Sequence, residues 1–212
     1  MRWLNKTIEF PPLTEANPEG LLAVGGDLSP ERVLYAYQNG IFPWYESDQP
    51  LLWWAPDPRF VLYTNKLKIS KSTKQVLRNQ SFKVTVNQNF RAVIKACANV
   101  KRVAQSGTWI TDSMIETYCE LHRRGFAKSV EVWQKNKLVG GLYGVELDDT
   151  IFCGESMFSY VSNASKIGFI SFIQNSNYKL VDCQVHTDYL ESLGAEHISR
   201  SSFMQELHKL RN

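Results

Sequence analysis

The chain has 212 residues, 43% hydrophobic and 12% aromatic, enough to bury a substantial core in one large domain or two small ones, which excludes a disordered polypeptide. Its net charge is only +3, yet from Pro58 to Thr111 there are eleven Lys or Arg and no Asp or Glu, so the other thirteen basic residues face all twenty-one acidic ones at about −8. Charge segregated in this way suits a face that binds a polyanion, because phosphate contacts supply most nucleic-acid affinity and nearby carboxylates would oppose them.

The opening segment, Met1 to Phe10, mixes Arg2, Asn5, Lys6 and Glu9 with apolar residues and lacks the apolar run of a signal peptide. No later stretch approaches a membrane span. The first sixty residues are rich in turn-formers: Phe10-Pro11-Pro12, Asn17-Pro18-Glu19-Gly20, Val24-Gly25-Gly26-Asp27, and Trp53 through Arg59. Loops around a short helix are expected there. That helix begins with Ser29 as N-cap and Pro30 at its first position, buries Val33, Leu34 and Tyr37, and stops at Gly40.

Within the basic block, Phe60 to Tyr63 reads as a strand and a helix starts near Ser70. Lys71, Lys74 and Arg78 recur on one face of that helix. A second helix carries Phe90, Val93, Ile94 and Cys97 as its buried stripe. No Gly/Ser linker divides the chain, so a boundary near residues 85 to 105 is expected to be close-packed.

From Thr111 the pattern becomes regular. Thr111-Asp112 caps a helix to Arg124, Ser129 to Trp133 is a strand, Asn136-Lys137 a turn, and Leu138 to Leu147 a second strand. Asp148-Asp149 turns the chain into a third strand, Thr150 to Ser159. Then come a helix from Asn163 to Gln174, a fourth strand from Leu180 to Val185, a helix from Asp188 to Leu193, and a last helix from Ser202 to Leu210. Helix, meander, helix, strand, helix is an α+β layout like that of acyltransferases acting on amines.

In Leu180-Val181-Asp182-Cys183-Gln184-Val185, period two places Asp182 and Gln184 on one face and Cys183 on the other. Two polar groups among aliphatics are costly unless satisfied, so they either bond a neighbouring loop or line a cleft and orient a nucleophile. Gly154-Glu155-Ser156-Met157-Phe158 superficially resembles a nucleophile elbow, but Phe158 stands where that motif has glycine. Glu155 reads better as a carboxylate for a cationic substrate group, with a surface salt bridge as the alternative. The four histidines show no metal-binding spacing, and Cys97, Cys119, Cys153 and Cys183 read as reduced core residues of a cytoplasmic protein. No Walker A loop or dinucleotide fingerprint is present, so neither a cofactor nor a metal is expected. Of Trp44, Trp53, Trp54 and Trp109, at least two are expected in the core, while an exposed one beside basic residues would stack on an unpaired base.

Taken together, several segments carry a resemblance: Gly20 through Pro30, Ala36 through Trp44, Leu52 through Arg59, Gly107-Thr108-Trp109-Ile110, Gly154 through Ser159, Asn163-Ala164-Ser165-Lys166, Asp182-Cys183-Gln184 and Ser192-Leu193-Gly194-Ala195. From about residue 10 to 205 the chain resembles the leucyl/phenylalanyl-tRNA-protein transferase family. The resemblance implies a small amino-terminal α/β domain, residues 1–95, with a basic tRNA-facing surface, followed by an acetyltransferase-like (GNAT) mixed-sheet catalytic domain, residues 96–212. It implies transfer of Leu or Phe, with Met a third candidate, from aminoacyl-tRNA to proteins beginning with Arg or Lys, marking them for degradation. A cytoplasmic monomer with no membrane partner is the matching expectation.

By the same resemblance, Asp182 and Gln184 fall on the catalytic pair and Glu155 on the active-site glutamate. Trp44 and Trp109 match aromatics near the tRNA's terminal adenosine, Tyr37 and Tyr118 match cleft tyrosines, and Met157 matches a wall of the apolar pocket, to which Phe158, Phe169 and Phe172 are added as candidates. Lys71 and Arg78 match positions that touch the acceptor stem, and Lys74 shares their face. Lys128 and Tyr189 stand where the family usually has histidine, and Gln75 and Asn79 where it often has a basic residue. Gln184 is then expected to position the amine, Asp182 to orient Gln184 and polarise a proton relay, and Glu155 to attract the cationic acceptor, with the tRNA ribose hydroxyl as an alternative shuttle. Two other readings compete. A CoA-dependent acetyltransferase lacks its glycines at Ser159 to Ser165, and a non-catalytic RNA-binding module leaves Asp182, Gln184 and Glu155 without a reason.

Overall fold

The computed structural model describes residues 2–46, 48–79, 81–100 and 109–211. Gly107 and Thr108 of the motif above, and Lys101 and Arg102 of the basic block, lie outside them. No helix among the described residues is long and apolar enough to cross a membrane.

The turn-rich opening is more ordered than its composition suggests. β1 (Arg2–Leu4), β2 (Leu21–Gly25), β3 (Phe42–Pro43) and β4 (Leu52–Trp54) form a four-stranded sheet in the order β1-β2-β4-β3, where loops were expected. Strands of two to five residues are too short for alternation to show in sequence. α1 (Pro30–Gln38) starts as expected, with the Ser29 hydroxyl accepting from the Arg32 N–H, and Gly40 leaves it at φ +72°.

The second sheet has seven strands: β5 (Arg59–Tyr63), β6 (Lys83–Val86), β7 (Ala127–Gln134), β8 (Lys137–Leu147), β9 (Ile151–Ser159), β10 (Leu180–Gln184) and β11 (Glu196–Ile198), ordered β11-β5-β10-β9-β8-β7-β6. β6 to β9 are successive antiparallel neighbours, β9 and β10 are parallel, and β5 lies antiparallel between β10 and β11. The tight turn between β7 and β8 falls at Lys135-Asn136, both left-handed, one residue before the expected position.

Both faces of this sheet are covered, and Val61 packs into one core while its neighbours Phe60 and Leu62 pack into the other. α3 (Phe90–Asn99) and α4 (Asp112–Arg123) pack on one side with α1, and α5 (Ala164–Gln174) lies against β7 and β8 on the other. α2 (Lys71–Arg78) rests on α5, while α6 (Asp188–Ser192) and α7 (Arg200–Arg211) follow β10 and β11. Glu131 of β7 is fully buried and satisfied by Ser129 and Thr85 hydroxyls and the Gln88 and Asn89 N–H groups, which fixes the start of α3.

The boundary expected between residues 95 and 96 falls inside α3, and β5 and β6 ahead of it are strands of the larger sheet. The passage from one sheet to the other lies between Trp54 and Arg59. A continuous apolar run buried on both faces marks an interior strand, which is how Phe60-Val61-Leu62 belongs with the larger sheet.

Gly144 of β8 packs tightly against β9, where an added Cβ would stand 2.2 Å from the Cys153 carbonyl oxygen and 2.5 Å from the Phe152 ring. At Gly154, across the pair, the nearest atom to such a Cβ is 3.8 Å away. Gly144→Ala is therefore expected to cost about 1–3 kcal/mol by overpacking. Gly154→Ala should stay within about 0.5 kcal/mol. Urea midpoints of the two variants check this contrast.

Candidate active site

β9 and β10 pair only from Ile151↔Leu180 to Cys153↔Asp182. Beyond that point β9 continues to Ser159 beside β8, whereas β10 ends at Gln184. A cavity of about 680 Å³ opens where the two parallel strands part. Its deep wall is apolar, with Leu142, Phe152, Phe169 and Val181 at most 2% exposed, and its outer rim holds Trp44 at 38% and Val185 at 43%.

A β-bulge sits in each strand at this site. On β9, Tyr143 faces Ser156 and Gly144 faces Gly154, which leaves Glu155 as the extra residue. On β10, Asp182 faces Val61 and Gln184 faces Phe60, which leaves Cys183 as the extra one. Bulges re-aim side chains and steepen the local twist. The result corrects the expected alternation, because Cys183 and Gln184 both line the cavity while Asp182 does not. Gln184 takes φ +63°, an unusual conformation for a residue with a side chain.

Glu155 is the hub. Gln184 Nε2 donates to Glu155 Oε1 at 2.6 Å, and the Tyr118 hydroxyl donates to Oε2 at 2.9 Å. The Tyr37 hydroxyl stands 2.6 Å from that of Tyr118, extending the chain of hydrogen bonds from α4 to α1. Burial pushes the Glu155 carboxyl up to about 7, an effect that bonds from Tyr37, Tyr118 and Gln184 oppose and the nearby Asp182 charge reinforces. Burial, and then the charge of Glu155, raise both tyrosines well above their usual range, so they remain neutral donors.

Asp182 lies behind this group, 1% exposed, and is held bidentately by Arg59: Nε donates to Oδ1 at 2.8 Å and an Nη to Oδ2 at 2.7 Å. Oδ1 also accepts the backbone N–H of Gln184 at 3.0 Å, which holds the turned backbone in place. The Arg59 guanidinium is itself sandwiched between the rings of Phe42 and Phe203, at 4.7 and 4.8 Å. Sequence reasoning placed Arg59 in a motif without giving it a role. The available signal was a lone arginine heading a wholly apolar strand.

Of the other expected site residues, Trp44, Trp109, Met157 and Phe169 line the cavity. Tyr37 and Tyr118 sit beneath Glu155 rather than in the wall. Phe172 faces away, against Phe152 and Tyr178, and Phe158 is buried in the opposite core. Trp53 is fully buried, and Trp54 half-buried with its indole N–H on the Trp44 carbonyl. Lys71, Lys74 and Arg78 are exposed on α2. Lys128 pairs with Glu146 at 2.8 Å, away from the cavity lining, whereas Tyr189 is part of it. His186, Asp188 and Glu191 bring ligand atoms within 4.8 Å of one another, a grouping that histidine spacing alone did not reveal, but all three are exposed.

The profile of the leucyl/phenylalanyl-tRNA protein transferase family matches residues 61–208, and that of the family's N-terminal domain matches residues 26–57. A leucyl/phenylalanyl-tRNA–protein transferase of Flavobacterium johnsoniae is 57% identical over 210 residues, covering 98% of this chain and 99% of its own. One from Pseudomonas aeruginosa is 51% identical over 218 residues, covering 100% and 96%. A GCN5-related N-acetyltransferase structure from Kribbella flavida covers 77% of this chain and 58% of its own at 8% identity and TM-score 0.37, a likeness too slight to argue from.

The buried charges make two predictions. The folded chain holds the Glu155 proton up to about pH 7, whereas an unfolded glutamate releases it near 4.5. Between those values the folded state binds more protons, so stability falls as pH rises through that window. Glu155→Gln should remove this slope, gaining on the order of 2 kcal/mol relative to wild type between pH 4.5 and 8, read by denaturant titration at each pH. Arg59→Met strands a buried carboxylate and should cost about 3–5 kcal/mol, with Arg59→Met/Asp182→Leu recovering much of the loss.

Proposed function

The chain belongs to the leucyl/phenylalanyl-tRNA protein transferase family, and we propose that the cavity between β9 and β10 moves Leu or Phe, with Met a further candidate, from aminoacyl-tRNA to the α-amine of proteins beginning with Arg or Lys. The observation that carries this reading is a deep apolar cavity with a carboxyl group near neutral pKa, held between an amide and a tyrosine hydroxyl. In the cell, the product is marked for degradation. The reading places the enzyme in the cytoplasm as a monomer and requires no cofactor, because the aminoacyl ester is already activated.

The donor's side chain enters the sleeve of Leu142, Phe152, Met157 and Phe169, and its adenosine meets Trp44 and Trp109 at the rim. Such a sleeve separates large from small side chains by about 1–3 kcal/mol per methylene. Gln184 donates through Nε2 to Glu155, which leaves its amide oxygen to orient the incoming amine. That amine, with pKa about 7.7–8.0, has an appreciable neutral fraction near pH 7. It attacks the ester carbonyl, the N–C bond forms and the ester C–O bond breaks. The electron pair leaves on the ribose oxygen, which takes up the proton the amine loses.

Glu155 is the group in this site able to carry that proton, since its pKa is close to ambient and its carboxyl lines the cavity. Asp182, fixed by Arg59, serves as a positioning residue for Gln184. This changes the roles expected from sequence, in which Asp182 polarised the relay and Glu155 attracted the acceptor's cation.

Radiolabelled Leu is expected to pass from leucyl-tRNA to a peptide beginning with Arg and not to one beginning with Ala. Glu155→Gln should lower kcat/KM by about 10²–10⁴ and abolish the inflection near pH 7, leaving the one set by the acceptor amine at about 7.7–8.0. Retention of tRNA without label transfer by wild type would instead support a non-catalytic RNA-binding module.

A further inference from the structure

A second cavity of about 470 Å³ adjoins the first, and the two share Met157 and Tyr189 as walls. The rest of its lining is largely polar, with Ser159, Ser162, Asn163 and Ser165, and its single charged residue is Lys166. No carboxylate lines it. Lys166 is half-buried, and its ammonium lies 5.4 Å from the centroid of the Tyr189 ring. A cation in the first turn of α5 is opposed by the helix dipole, so helix stability does not account for it. The Tyr189 hydroxyl is buried and has no hydrogen-bond partner among the described residues. That oxygen is closed to solvent, so Tyr189 serves the cavity as an aromatic wall and as the ring beside the Lys166 ammonium.

We propose that this second cavity holds the phosphodiester immediately preceding the terminal adenosine of the donor, with Lys166 supplying the charge. The assignment rests on the reading that the first cavity takes an aminoacylated adenosine, since the next phosphate along the strand must then lie beside it. α2, which carries the exposed Lys71, Lys74 and Arg78, packs against α5, the helix that carries Lys166. A single phosphate next to one half-buried lysine is a charge-assisted contact of the stronger kind. Tyr189, a departure from the family's usual histidine, forms the wall between the two cavities.

Two minimal donors separate this contact from everything else: the leucyl ester of adenosine, which has no phosphodiester, and the leucyl ester of cytidylyl-adenosine, which has one. With an Arg-initiated peptide as acceptor, Lys166→Met is expected to lower kcat/KM about tenfold on the dinucleotide ester and to change it less than about twofold on the adenosine ester. Lys166→Arg should retain most of the dinucleotide activity. Equal losses on both esters, or no loss on either, would overturn the assignment. Wild-type turnover of the adenosine ester tests the transferase reading by itself. If wild type uses neither ester, that reading fails, while calorimetry with unacylated cytidylyl-adenosine against adenosine still decides the second cavity. Tighter binding of the dinucleotide that is lost in Lys166→Met supports the site, and coenzyme A competing for it in preference to the dinucleotide counts against it.

Discussion

The site depends on an ion pair that lies behind the cavity. Arg59 and Asp182 join the first strand of the large sheet to the strand that ends in Gln184, and both are closed off from water. Desolvating two charges is repaid only when geometry is good and the remaining hydrogen-bonding capacity is used. Here the contact is bidentate, Asp182 takes a further bond from the Gln184 backbone, and aromatic rings from β3 and α7 cover both faces of the guanidinium. The small sheet, the large sheet and α7 therefore converge on one cation. Its function is to make a strained backbone at Gln184 the lowest-energy arrangement available.

Two carboxylates at the end of the same parallel pair thus have different partners. Asp182 is held by the Arg59 guanidinium and by the Gln184 backbone N–H. Glu155 has only neutral donors, and burial lifts its pKa to about 7. The partners around a carboxylate, not its distance from the cavity alone, set the environment it titrates in.

Much of the fold was legible because helix ends carry local chemistry. Ser29 with Pro30, Ser70, and Thr111 were readable as caps, and each accepts the N–H expected of it. The small sheet was not legible, since its strands are too brief to show a period and its turn residues dominate the composition. β6 and β11 escaped for the same reason at the edges of the large sheet. Within the site, the residues that resemblance supplied include Glu155 and Gln184, which the structure joins by a hydrogen bond, but the direction in which Gln184 points did not follow from period two. One extra residue at Cys183 reverses that inference and leaves no mark in a strand where every position is buried. Arg59 was missed because its partner lies 123 residues further on, beyond the reach of any local pattern.

The hydrogen-bonded tyrosines have a consequence for biosynthesis. Tyr37 belongs to α1, Tyr118 to α4 and Glu155 to β9, while the ring that closes over Arg59 comes from Phe203 of α7. A chain emerging from the ribosome would have Trp44, Lys71, Lys74 and Arg78 early, yet would not hold the completed group around Glu155 and Arg59 until α7 docked. The growing polypeptide is surrounded by charged tRNAs throughout that time. Making the site from segments spread along the sequence delays reactivity toward that pool until synthesis has brought all of them together.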